Sequence, residues 1–348
     1  MSLKAEASPE DGVAGRRSAA RGPGLSGVAL AGLTAAVSGV SVFLNSYGVH
    51  AIASPALYTT AKNLVATLVL FVLVGAARQR RVCRLTAALE RLGAPPRARL
   101  RRAPGYGARM LRLAALGYVG VIGGGLAFVL FFDGLAHSAA APAAFLHDTL
   151  VIFVALFGLF VLRERLRWWN LAAIGLLVGG EVWMAGGVGD LVAQRGDLLV
   201  FSATLLWAVE VVVARVLLRE MSPGALALVR MGVGSLALLA YLGFSGVLSE
   251  IVALDASQIG WALLTGGLLA AYVGTWMTAL ESTRALDVTS ILVGSTLVTW
   301  LLELAAGSAS AASTASGVIL IAVGTGLVAW MAWPRPERAS ARVEVAGR

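Results

Sequence analysis

Two stretches decide the fold: residues 54–75, SPALYTTAKNLVATLVLFVLVG, and residues 222–244, SPGALALVRMGVGSLALLAYLGF. Each opens on Ser-Pro and carries a basic residue seven positions beyond the proline, Lys62 after Pro55 and Arg230 after Pro223. Otherwise both are apolar for about 20 residues, the length an α-helix needs to cross ~30 Å of hydrocarbon at ~1.5 Å rise per residue. Neither shows the period-two alternation of a membrane barrel, so both read as transmembrane helices.

Outward from these stretches the 348-residue chain is built the same way. Its residues are 58% hydrophobic and 14% charged, with mean hydropathy +0.81, where soluble domains carry roughly 25% charge. Such a chain lacks the polar surface of a water-soluble globule. Disorder, collagen and coiled coil are excluded too, since each needs more charge or a strict short repeat. A single cysteine, Cys83, permits no internal disulfide and no Cys-based zinc cluster. The fold class is all-α and polytopic, with ten spans near Leu25–Asn45, Pro55–Gly75, Leu111–Phe132, Ala141–Leu162, Trp168–Gly187, Asp197–Val216, Pro223–Phe244, Gln258–Leu280, Asp287–Ala305 and Ala312–Trp333.

Arginine and lysine set the orientation. Of the 28 basic residues, 25 fall in the two tails and in alternate loops, against Arg195 alone in the remaining loops; Lys62 and Arg230 lie inside spans. The densest run, from Arg78 to Arg112, separates spans two and three. With ten spans both termini share one side, and the bias makes that side the cytoplasm. The expected location is the cell (inner) membrane. The net charge of +9 then lies against anionic lipid. A nucleic-acid partner is not expected, because no aromatic residue interleaves the arginines from Arg80 to Arg102 and membrane spans flank the loop. The tails at 1–24 and 334–348 read as disordered, the length of the first apolar stretch and the Gly/Ala/Arg-rich tail before it argue against a cleaved signal peptide, and Cys83 stays reduced.

The two opening stretches are also an internal repeat, with their prolines 168 residues apart. Gly134-Leu135 at the end of span three matches Ala279-Leu280 at the end of span eight, 145 apart, and the difference is the long arginine loop 77–110. Two five-helix units follow, 25–187 and 188–333. Five is odd, so the second enters the membrane from the opposite face, an inverted repeat with a substrate site expected near the midplane.

These residues resemble a known family. Ser-Pro with a basic residue seven on, Arg163-Glu164-Arg165-Leu166 closing span four, and Gly196-Asp197-Leu198-Leu199 with Trp207-Ala208 in span six are similar to EamA-type carriers of the drug/metabolite transporter superfamily, over roughly Gly24 to Trp333. The resemblance implies a ten-helix inverted-repeat carrier of small metabolites, amino acids among them. The chain departs from the pattern at Val151, where members often carry proline thirteen residues before the glutamate, and near Ala309, where the second half lacks the counterpart of Glu164.

Ionisable groups inside spans are costly and need partners. By depth from the nearer face, Lys62 matches His147 and Asp148, while Arg230 matches Glu210. The expected pairs are Lys62–Asp148 in the outer half and Arg230–Glu210 in the inner half, serving either as helix pins or as cavity groups. His147 beside Asp148 suits binding and release of a proton. Glu181 and Glu303 are further cavity candidates, and Trp207, Trp276 and Trp300 lie deep enough to wall a substrate or simply to pack. Gly123-Gly124-Gly125 lies inside a span and is no phosphate loop.

The function expected is secondary transport of an amino acid-like or drug-like metabolite by alternating access, as proton-coupled efflux, by a monomer or homodimer needing no cofactor. An intramembrane enzyme is the rival. Gly243-Phe244-Ser245-Gly246 resembles a rhomboid serine motif, but every histidine precedes it, and neither HExxH nor a paired-aspartate motif occurs. A non-transporting scaffold or sensor is the other alternative.

Overall fold

The computed structural model describes residues 26–52, 54–92, 106–137, 145–164, 166–184, 187, 195–307 and 311–333, with side chains described except at 81–92 and 311–314. Among these there is no strand. Ten helical rods follow one another: α1 Gly27–Ala51, α2 Pro55–Leu92, α3 Tyr106–Ala136, α4 Phe145–Phe160, α5 Trp168–Met184, α6 Arg195–Leu217, α7 Pro223–Phe244, α8 Ala256–Ser282, α9 Ala285–Ala305 and α10 Ala311–Ala332. Eight are long and apolar enough to cross a membrane; α4 and α5 are shorter. The tails, Cys83 and the loop residues 93–105 fall outside the described side chains or residues.

The Ser-Pro openings have a simple physical basis. Ser54 Oγ accepts from the Leu57 N–H, and Ser222 Oγ accepts from the Ala225 N–H, each at 3.4 Å. Each serine thus caps a helix whose first residue is proline, a position where the missing N–H costs nothing. α8 begins on a capping box, with Asp255 and Gln258 satisfying each other's backbone.

α2 does not stop at Gly75 as its apolar run suggests, but continues to Leu92. Its extension is rich in Arg, Ala and Leu, which hold helical dihedrals well even outside lipid. Much of the chain's large apolar surface is exposed, Phe71 at 63% and Phe244 at 94% among it, as lipid-facing helices require.

The packing places the site. α1 and α2 pack on α8, while α6 and α7 pack on α3. α1 also meets α9, and α6 meets α4. Three further contacts join α2 to α7, α4 to α9 and α5 to α10. The α3–α7 crossing is nearly backbone to backbone: a Cβ on Gly124 would strike the Arg230 carbonyl oxygen, and one on Gly234 would strike the Gly124 carbonyl oxygen. Gly266 of α8 lies the same way against the Lys62 carbonyl oxygen, where an added Cβ would sit 2.7 Å from it. Residues Ala285–Val293 of α9 are all buried, making that half-helix the core between α1, α4 and α10.

Candidate functional site

The glycine run in α3 produces a π-helical segment, Tyr118–Leu126. The wider turn loosens the carbonyl ladder and presents backbone oxygens to neighbouring helices. The Gly123 oxygen accepts from Trp207 Nε1 at 3.0 Å and from Arg230 Nη2 at 3.3 Å. The Gly124 oxygen accepts from Asn63 Nδ2 at 3.3 Å. Gly123 is required there, because a Cβ would overlap the Glu210 carboxylate.

The expected Arg230–Glu210 pair is present. Arg230 Nε lies 2.5 Å from Glu210 Oε1 and Nη2 lies 3.1 Å from Oε2, a two-point contact with Glu210 fully buried. Charge-assisted bidentate geometry of this kind offsets much of the cost of desolvating both groups. The guanidinium also sits over two rings, 5.3 Å from Phe128 and 5.5 Å from Trp276. Trp276 in turn stacks on Tyr272.

The expected Lys62–Asp148 pair is not formed. Lys62 is 3% exposed, and its Nζ donates to Asn45 Oδ1 at 3.3 Å. It lies 4.0 Å from the Phe132 ring centroid, 5.1 Å from Tyr58 and 5.9 Å from Phe128. Asn45 Oδ1 also accepts from the Tyr58 hydroxyl at 2.5 Å, while Asn45 Nδ2 donates to Ser41 Oγ at 3.1 Å. Both cations therefore reach one ring, Phe128, at 5.9 and 5.3 Å.

Asp148 has other partners. Its Oδ2 accepts from Thr296 Oγ1 of α9 at 3.2 Å, and the Glu181 carboxyl of α5 lies near it, with Glu181 Oε1 lacking a hydrogen-bond partner among the described residues. The two acids line a narrow crevice with Phe145, Leu177 and Val293. His147 points elsewhere, its ring 5.3 Å from those of both Phe131 and Trp207. Among the described residues its Nδ1 has no hydrogen-bond partner. Trp207 joins the same stack against Phe128. Trp300 is half-buried and Glu303 is exposed near the end of α9.

Glu164 of the Arg163–Leu166 motif caps the second half's helix: its Oε1 accepts from the Ala285 N–H at 3.2 Å. Beside it Arg284 grips Asp287 through two bonds, 2.8 and 2.6 Å, and Arg215 donates to the Leu280 carbonyl. Asn45, Phe128, Phe132, Tyr58, Thr296 and the π-helical segment are the features the sequence reading did not select.

A polytopic helical bundle with a buried charged and aromatic centre is the architecture of a membrane transporter. The model of the EamA-like transporter family matches residues 25–185 and 194–330, and the chain belongs to that family. It is 28% identical over 132 residues to an uncharacterized transporter of Methanothermobacter thermautotrophicus, a match spanning 36% of this chain and 38% of that relative. A solved crystal structure shares the fold with TM-score 0.63 at 19% identity, covering 88% of this chain and 97% of its own.

Proposed function

We propose that the protein is a secondary carrier that exports a small metabolite, amino acid-like or drug-like, across the inner membrane by alternating access and in exchange for protons. Both termini face the cytoplasm, and its working unit is a monomer or homodimer. The observation that carries this reading is the charged and aromatic cluster where α2, α3 and α7 cross, since buried charge in a membrane bundle marks a ligand or ion path.

The two-unit organisation, 25–187 and 188–333, draws support from the packing. Exchanging α1–α5 for α6–α10 maps α1–α8 onto α6–α3, α2–α8 onto α7–α3 and α1–α9 onto α6–α4, and α2–α7, α4–α9 and α5–α10 onto themselves; the α9–α10 contact has no comparable α4–α5 counterpart. Thr67 and Ser235 share a hydrogen bond of 2.9 Å and are 168 residues apart, the same offset as the prolines. Equivalent residues touch only where a two-fold axis passes between them. The Glu164–Ala285 contact then joins the two units at the expected cytoplasmic side, as a gate contact would.

The proton site of this reading is the Asp148–Glu181 pair. Two neighbouring buried carboxyl groups favour holding a proton, because losing it places two like charges side by side. Thr296 couples that event to α9 of the other unit. Counterflow in proteoliposomes tests transport itself, because only a carrier moves labelled substrate across a sealed bilayer. Asp148→Asn and Glu181→Gln are expected to keep counterflow and to lose uptake driven by a pH gradient. Unaltered proton coupling in both variants refutes the assignment, and His147→Gln tests whether its neighbour shares the role.

A further inference from the structure

The α6–α7 corner closes its charge balance internally, with Glu210 of α6 against Arg230 of α7. At the α1–α2 corner no carboxylate meets the cation: Val42 stands at the 168-residue offset from Glu210, and the group that α1 offers to Lys62, one turn further on, is the neutral amide of Asn45. That amide oxygen is already engaged by Tyr58. Among the described residues Asn45 is the sole hydrogen-bond acceptor of Lys62, so an ammonium with three donors is held by one shared oxygen and three ring faces. Asp148 and Glu181 lie together in the crevice beside Phe145 and Val293, with Asp148 bonded to Thr296 and not to Lys62.

We propose that the missing negative charge is supplied by the transported ligand, and that Lys62 is the binding site for its carboxylate. The walls define the remainder of the ligand. Phe128, Phe132 and Tyr58 surround the ammonium, and the Phe131–His147–Trp207 stack continues from Phe128. The ligand class is a small carboxylate with an apolar, ring-bearing or branched body. A buried charge left without a counter-ion disfavours the empty site, so ligand binding relieves a cost that the protein bears when unloaded. Arg230 already has its counter-charge in Glu210. This deepens the carrier reading and rests on it for the transport consequence, but the binding itself is measurable separately.

The test is binding to the purified full-length protein in detergent, by calorimetry or thermal shift at millimolar ligand. The probes are phenylacetate, 4-methylpentanoate, L-phenylalanine, phenylacetamide and phenethylamine. At least one of the three carboxylates is expected to bind, with the amide and the amine weaker by about tenfold or more, the size of one charge-assisted contact. Phenylacetate against L-phenylalanine separates a simple acid from an amino acid. Lys62→Met is expected to abolish that binding. Asn45→Asp is expected to weaken it about as much, because the new carboxylate occupies the gap while giving Lys62 an ion-pair partner like that of Arg230. Equal binding of amide and acid, no binding of any carboxylate, or full carboxylate affinity in Asn45→Asp overturns the proposal. Carboxylate binding without counterflow leaves it standing and sinks the carrier reading instead.

Discussion

The α1–α2 corner and the α6–α7 corner are built on one plan, with a Ser-Pro cap and a basic side chain seven residues beyond the proline. They differ in what meets the cation. Arg230 has a two-point contact with a carboxylate and a further bond to the Gly123 oxygen, while Lys62 has an amide and three rings. One corner is a fixed joint and the other an open valence. On the proposed reading, the asymmetry is what leaves the Lys62 corner open to a ligand.

The largest expected effect comes from breaking the closed corner. Glu210→Gln leaves the guanidinium buried without its counter-charge, and the cost is about 3–5 kcal/mol, measurable as unfolding free energy in a denaturing-detergent titration. Replacing Arg230 and Glu210 together by Met and Leu is expected to restore most of that loss, since the pair is then removed instead of halved. Next in size is the crossing that holds the corner in place. Gly124→Val pushes α3 off the Arg230 backbone and is expected to cost about 1–3 kcal/mol or more, with a fall in folded yield. The smallest effect belongs to the hydrogen bond on the proposed axis. Ser235→Ala should cost about 1 kcal/mol, and Thr67→Val should cost about the same; because each removes the same bond, the double variant is expected to add little to either single one.

The spans, the repeat offset and the Arg230–Glu210 pair are readable from sequence, because length, a fixed interval and depth along a rod are one-dimensional quantities. The Lys62–Asp148 expectation fails for want of the second dimension. Depth says how far along a helix a residue lies, but azimuth decides which neighbour it meets, and successive residues are about 100° apart around the axis. His147 and Asp148 show this directly: one joins the Trp207 stack, while its neighbour turns to Glu181 and Thr296. Asn45 escaped notice because an amide carries no charge and a span tolerates it. The π-helical segment was signalled only by three consecutive glycines, which equally suit simple close packing.

Unfolding free energies of Lys62→Met and Arg230→Met, measured side by side, test the central asymmetry most directly. Removing an uncompensated buried cation should leave Lys62→Met within about 1 kcal/mol of the parent protein or more stable than it, while Arg230→Met loses about 3–5 kcal/mol by stranding Glu210. Equal losses in the two variants, or a larger loss at Lys62, would show that both corners are closed joints and contradict the account.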